Sequence, residues 1–107
     1  MNLTARIVAD LKSVGINTFF GVQGGAVARF IDEIVKHGCK FIPVLNEQAA
    51  AYCAHGYYFA TKTPAGVVVT TGPGLTNVIS GVASCYYDSV PMVLLIGQVS
   101  RALNTAS

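Results

Sequence analysis

The chain has 107 residues, enough for one domain at most and for a core of limited size. Hydrophobic residues make up 52% and charged residues 11%, well below the roughly 25% charged residues of an ordinary soluble domain, so part of the surface is expected to be covered by another domain or another copy. The net charge of +2, with Lys and Arg scattered, argues against a nucleic-acid stripe or a charged tail.

Helix-period and strand-type segments alternate along the chain. Leu3, Ile7, Leu11 and Val14 recur at spacings of three and four, which predicts a one-faced helix ended by Gly15. Thr18 to Val22 is a short β-prone run. After Gly24-Gly25, the positions Val27, Phe30, Ile31, Ile34 and Val35 predict a second helix closed by Gly38. Phe41 to Leu45 is the next candidate strand, and its Pro43 belongs at an edge or a strand end because proline donates no ladder hydrogen bond.

A third helix is predicted from Glu47 to about Ala60, and Gly66 to Thr71 reads as a buried, β-branched strand. Gly72-Pro73-Gly74 breaks it, a fourth helix runs to about Tyr87, and Met92 to Ile96 forms the last strand. The strands lack polar alternation, as expected when helices cover both faces. The fold class is therefore α/β: a doubly wound, mainly parallel sheet with right-handed crossovers. Four strands are few for such a sheet, which suggests a truncated or unusually short domain.

Cys39, Cys53 and Cys85 are odd in number and widely spaced, and are read as small buried hydrophobes in a reducing cytoplasm. Asp10 and Lys12 interrupt the first apolar stretch, against a secretory leader. The apolar segment from Pro91 to Val99 falls short of the ~20 residues that span a membrane. His37, just before Gly38, suits a helix C-terminus, and His55 has no acid or nucleophilic serine nearby in sequence. The tyrosines at 52, 57, 58, 86 and 87 are read as core or interface residues.

In open parallel sheets, ligands bind beyond the carboxyl ends of the strands. Four loops lie there: Gly21 to Gly25, Leu45 to Gln48, Thr70 to Asn77, and Gly97 to Ser100. Asn46 is a good N-cap. Glu47 then falls in the first helical turn, where the dipole stabilises a carboxylate by ~0.3–1 kcal/mol. A purely structural role accounts for that position. An apolar site would instead raise its pKa and let it share a proton with a bound base. Thr71 to Asn77 lets a ligand approach the backbone, yet it lacks the Gly-Lys-Ser/Thr of a P-loop, and Asn77 stands where a dinucleotide fingerprint needs its third glycine. Gly21 to Ala26 fails that fingerprint too, which disfavours a Rossmann-type nucleotide module.

The order of these segments resembles the start of acetolactate-synthase-like, thiamine-diphosphate-dependent enzymes. The segments are Phe20-Gly21-Val22-Gln23-Gly24-Gly25, Asn46-Glu47-Gln48-Ala49-Ala50, Gly56 to Thr61, Thr70 to Asn77, Pro91-Met92-Val93 and Gly97-Gln98-Val99. The resemblance runs from about Leu3 to Ser100 and implies the thiamine-diphosphate-binding fold, with residues 1–107 as one incomplete pyrimidine-binding domain. It implies that Glu47 hydrogen-bonds the cofactor's pyrimidine nitrogen and favours the imino tautomer that activates the thiazolium carbon. It further implies Thr71, Gly72 and Asn77 beside the pyrimidine, Gln98 on the substrate side, and Val22 to Gly25, with Gly24 and Gly25, facing a neighbouring subunit's cofactor and substrate.

The implied substrate is a 2-oxo acid, for decarboxylation or carboligation, and which acid and which reaction stay open. The family's diphosphate- and Mg2+-binding domain carries a Gly-Asp-Gly segment absent from this sequence. The metal ligands are therefore expected on a partner domain or subunit, or on a homodimer mate, and the isolated chain is expected to be inactive. FAD binding is left undetermined. The alternative is a non-catalytic α/β oligomerisation or interaction module, which a cofactor titration would separate from the enzyme reading.

Overall fold

The structure, a computed structural model, describes residues 2–98. Its order is α1 (Leu3–Ser13), β1 (Thr18–Gly21), a 3-10 turn (Gly25–Val27), α2 (Ala28–Lys36), β2 (Lys40–Pro43), α3 (Glu47–Thr61), β3 (Ala65–Thr70), α4 (Pro73–Tyr87) and β4 (Met92–Gly97). All eight expected elements form, most within one or two residues of their predicted bounds.

The largest differences are at β1 and β2. Strand β1 ends at Gly21, and β2 covers Lys40–Pro43 rather than Phe41 to Leu45. Pairing ends where the registers Gly21↔Pro43 and Gly21↔Val68 end. Beyond that point Leu45 is 99% exposed, so its apolar side chain added nothing to the strand. Pro43 does sit at a strand end on an edge, as its missing N–H requires. Val99 and Ser100, expected in the last strand-end loop, lie outside the described residues.

The sheet is wholly parallel, in the order β2-β1-β3-β4. From β1 the chain moves out to β2, then returns across the sheet to β3. The crevice of such a sheet lies at this reversal, beyond the carboxyl ends of β1 and β3.

Helices cover both faces, each over its own core. Phe19 and Val68 point to one face and pack with Val8 of α1 and Ile34 of α2. Phe20, Val67 and Val69 point to the other and meet Ala50, Ala51 and Ala54 of α3 and Val78 of α4. The alternation of adjacent residues between the two faces is the period of a strand. Fully burying a side chain such as Phe19 or Ile34, both at 0% exposure, contributes about 1.5–3 kcal/mol.

Helices α3 and α4 lie side by side and run in the same direction, since each follows a strand of one parallel sheet. Gly81 of α4 rests on Ala51 of α3, leaving no room for a methyl group between them. Gln48 donates to the Ser80 hydroxyl at 2.6 Å, and near the other end His55 Nε2 meets Asp88 Oδ2 at 2.7 Å. His37 caps the C-terminus of α2 with Nδ1 at 2.8 Å from the Glu33 carbonyl oxygen. His55 does have an acidic neighbour, brought from 33 residues away by helix packing.

One further expectation needs correction. Cys39 and Cys85 are buried, but Cys53 is exposed, because it falls off the Ala50, Ala51 and Ala54 line that faces the sheet. Burial, and secondarily the Asp88 carboxylate, push the Cys85 thiol above its ordinary pKa. Among the tyrosines, Tyr57 packs edge-on against Phe20 and donates to Thr18 Oγ1 at 3.2 Å. Tyr86 and Tyr87 are 79% and 82% exposed, so within this chain they are surface residues.

Candidate site at the carboxyl ends of the strands

Glu47 is the first residue of α3, set there by Asn46. The Asn46 backbone is extended, and its Oδ1 accepts from the Ala49 N–H at 2.8 Å, which satisfies an otherwise unpaired first-turn donor. The Glu47 side chain is half-buried and turns toward α4. Asn77 Nδ2 donates to its Oε1 at 2.9 Å. Its other oxygen, Oε2, lies beside Gly74, where an added Cβ would be 3.4 Å from Oε2 and 2.9 Å from Thr70 Oγ1. Gly74 and Asn77 are three residues apart, hence on one face of α4.

A side-chain amide, a threonine hydroxyl and a helix N-terminus surround the carboxyl group on the side the chain supplies. The reason is the parallel run of α3 and α4, which brings both helix N-termini to one end of the sheet.

Thr71 follows β3, and its N–H donates to the Gly97 carbonyl oxygen at 2.8 Å, tying the ends of β3 and β4 together. Gly72 caps α4 with φ +75°, a conformation that favours glycine. Pro73 follows as the first helical residue, where its missing N–H costs nothing. Gly24 reaches the same region from β1, since an added Cβ would sit 3.0 Å from Thr70 Cγ2. Gln98 directly follows β4 and is exposed.

The structure thus gathers Glu47, Asn77 and Gly24 around Thr70 and Gly74. Gly25 stands apart, with no atom within 4 Å of an added Cβ. Together with Gln23 and Gly24 it lines an open groove of about 530 Å3 that continues past Ile31 and Val35 of α2. Glu47 does not line that groove. The acid that does, Asp32, is exposed and already paired with Lys36 at 2.9 Å. Thr70 and Gly74 belong to the expected Thr70 to Asn77 loop, but the sequence did not single them out as the residues beside Glu47. Their signal was present in the run Thr70 to Gly74, a strand end followed at once by a glycine-broken helix start.

Among the described residues there is no group of three or more His, Cys, Asp or Glu side chains able to hold a metal ion. No described helix is long and apolar enough to cross a membrane.

A parallel sheet presenting an acid at its β2–α3 junction, opposite a glycine-opened helix start, defines a ligand-binding α/β domain. Residues 1–106 match the family described as "Thiamine pyrophosphate enzyme, N-terminal TPP binding domain", and the chain belongs to that family.

Its similarity to named proteins runs in the same direction. It is 44% identical over 98 residues to the acetolactate synthase large subunit of Buchnera aphidicola subsp. Acyrthosiphon pisum, covering 91% of this chain and 17% of that protein. It is 40% identical over 100 residues to the acetolactate synthase isozyme 2 large subunit of Escherichia coli, covering 94% and 18%. The 2-hydroxyacyl-CoA lyase of Saccharomyces cerevisiae is 34% identical over 92 residues, covering 86% and 16%. The chain therefore spans about a sixth of the length of these relatives. The fold matches a Mycobacterium smegmatis chain assigned to the thiamin diphosphate-dependent enzymes, with a TM-score of 0.85 at 24% identity, covering 98% of this chain and 20% of that one.

Proposed function

We propose that this chain forms the pyrimidine half of a thiamine diphosphate site in an acetolactate-synthase-like cytoplasmic enzyme acting on 2-oxo acids, with Glu47 as the activating acid. The observation that carries this reading is the Glu47 carboxyl group, half-buried at a strand's carboxyl end with Oε1 occupied by Asn77 and Oε2 beside the side-chain-free Gly74.

The residues fit an aminopyrimidine. A flat heterocycle needs backbone-close space and one group that exchanges a proton with a ring nitrogen. Gly74 and Gly24 keep the backbone bare beside Thr70, where a side chain at either would crowd it. Oε2 supplies the proton contact. Thr71 and Gly72 follow directly at the end of β3, and Gln98 sits at the next strand end, on the side proposed for substrate. When bound, the cofactor supplies the nucleophilic carbon and stores the electron pair left by carbon dioxide.

This chain's own part is to orient the ring and to hold a proton at Oε2. General acid–base help of this kind is worth ~10²–10⁴-fold. On this reading Mg2+ and the diphosphate are held by a partner domain, so the chain contributes half a site and is inactive alone. Tyr86 and Tyr87, exposed on α4, and Phe59, 52% exposed on α3, are proposed as part of the surface covered in that assembly, by a second copy or by the diphosphate-binding domain.

Titration of thiamine diphosphate and Mg2+ into the assembled enzyme, with Glu47→Gln as the contrast, tests the proposal. The variant is expected to melt as the parent does and to lose turnover of 2-oxo acid by about 10²-fold or more. Near-normal turnover by Glu47→Gln would remove Glu47 from the mechanism. Dimerisation with no response to the cofactor would favour the interaction-module alternative.

A further inference from the structure

We infer that Asn77 is a positioning residue, whose side-chain amide fixes the Glu47 carboxyl group so that Oε2, and not Oε1, is offered to the bound ring. This rests on the proposed role of Glu47 and adds to it. The family resemblance implied Asn77 beside the pyrimidine. Here one of its N–H groups is committed to the acid instead, at 2.9 Å.

The argument begins with the freedom of a first-turn carboxylate. A glutamate at the start of a helix can rotate about its terminal bond and present either oxygen. A charge-assisted hydrogen bond removes that choice. Because the Asn77 N–H takes a lone pair on Oε1, the neutral acid carries its proton more favourably on Oε2. Gly74, one turn before Asn77 on the same face of α4, carries no side chain to cover Oε2; an added Cβ there would sit 3.4 Å from it. One helix thus supplies both the group that holds the carboxyl and the bare glycine it faces.

The helix pair is itself fixed. Gly81 meets Ala51 without clearance, and Gln48 donates to Ser80 at 2.6 Å, so α4 cannot slide along α3 without losing both contacts. Gly74, Asn77 and Gly81 are spaced by three and four residues and face α3 together. The carboxyl orientation is therefore set by helix packing, away from any part of the ligand.

The test uses the assembled enzyme carrying Asn77→Leu, which keeps the branched shape and removes the donor without adding charge, and Asn77→Ala as a second variant. Each is made in the parent and in the Glu47→Gln background. Two quantities are read without substrate. One is the dissociation constant for thiamine diphosphate with Mg2+. The other is the rate of deuterium exchange at the cofactor's thiazolium C2 position, which reports activation directly. Thermal melting confirms the fold.

A positioning role predicts that the Asn77 variants slow exchange by about tenfold or more while the dissociation constant moves less than about threefold. In the Glu47→Gln background the same variants are expected to change exchange no further, because the residue they act through is gone. If the Asn77 variants weaken cofactor binding equally in both backgrounds, Asn77 is a direct ligand and the inference is overturned. Unchanged exchange with either variant overturns it as well. Unchanged exchange in Glu47→Gln alone brings down the proposed function itself, a result distinct from the other two.

Discussion

Gly81 of α4 sits directly against Ala51 of α3, and a methyl group at the glycine would overlap the alanine Cβ. Ala51 lies one turn after Glu47, and Gly81 one turn after Asn77. The distance between the acid and its amide partner is thus governed by how closely two small residues pack, roughly one helical turn away.

Replacing Gly81 with alanine should therefore push the helices apart. Overpacking of a tight core typically costs about 1–3 kcal/mol, more than the roughly 1 kcal/mol that alanine gains over glycine in a helix. Urea unfolding is expected to show a net loss of stability for Gly81→Ala. Equal or greater stability would mean that the helix pair yields freely and does not hold Glu47 and Asn77 in register.

Gly74→Ala separates stability from binding. Its Cβ would be 2.9 Å from Thr70 Oγ1 and 3.4 Å from Glu47 Oε2, a close approach that a small hydroxyl shift relieves. The helix-propensity gain of about 0.5–1 kcal/mol then roughly offsets the crowding. The melting temperature should stay near that of the parent, while affinity for thiamine diphosphate in the assembled enzyme falls by about tenfold or more. Parent-like affinity in a calorimetric titration would show that the ring does not sit against Gly74.

The three thiols should react in sequence. Cys53 is exposed, whereas Cys39 and Cys85 are buried. The raised pKa of Cys85 leaves less of its nucleophilic thiolate at any given pH. A disulfide reagent at pH 8 should modify Cys53 in the native chain quickly, with Cys39 and Cys85 released only on unfolding. Fast labelling of Cys85 in native protein would contradict the packing of α4 against the sheet.

Much of the architecture was readable from local pattern. The spacing of Leu3, Ile7 and Leu11, the glycines at 15 and 38, and the apolar run before Gly72 each reflect a rule acting within a few residues. The boundaries that slipped, at Val22 and Leu45, are places where strand-like residues run past the paired registers, which end at Gly21 and Pro43. No local rule reports where a partner ends. The site was partly legible for the same reason. Glu47 and its cap Asn46 are adjacent in sequence, and the Asn46 cap forms as expected. Thr70 and Gly74 gain meaning only when a carboxyl group from another strand's end is placed beside them.

The order of residues alone determined the elements, their alternation, the absence of polar faces on the strands, and hence a sheet covered on both sides. Those follow from backbone sterics and side-chain periodicity, which act over one or two turns. Only the tertiary structure decided that Asn77 bonds to Glu47 across 30 residues, that Asp88 meets His55 across 33, and that Cys53 faces outward. These depend on the direction and separation of two packed helices, which arise from the whole sheet and from the missing side chain at Gly81.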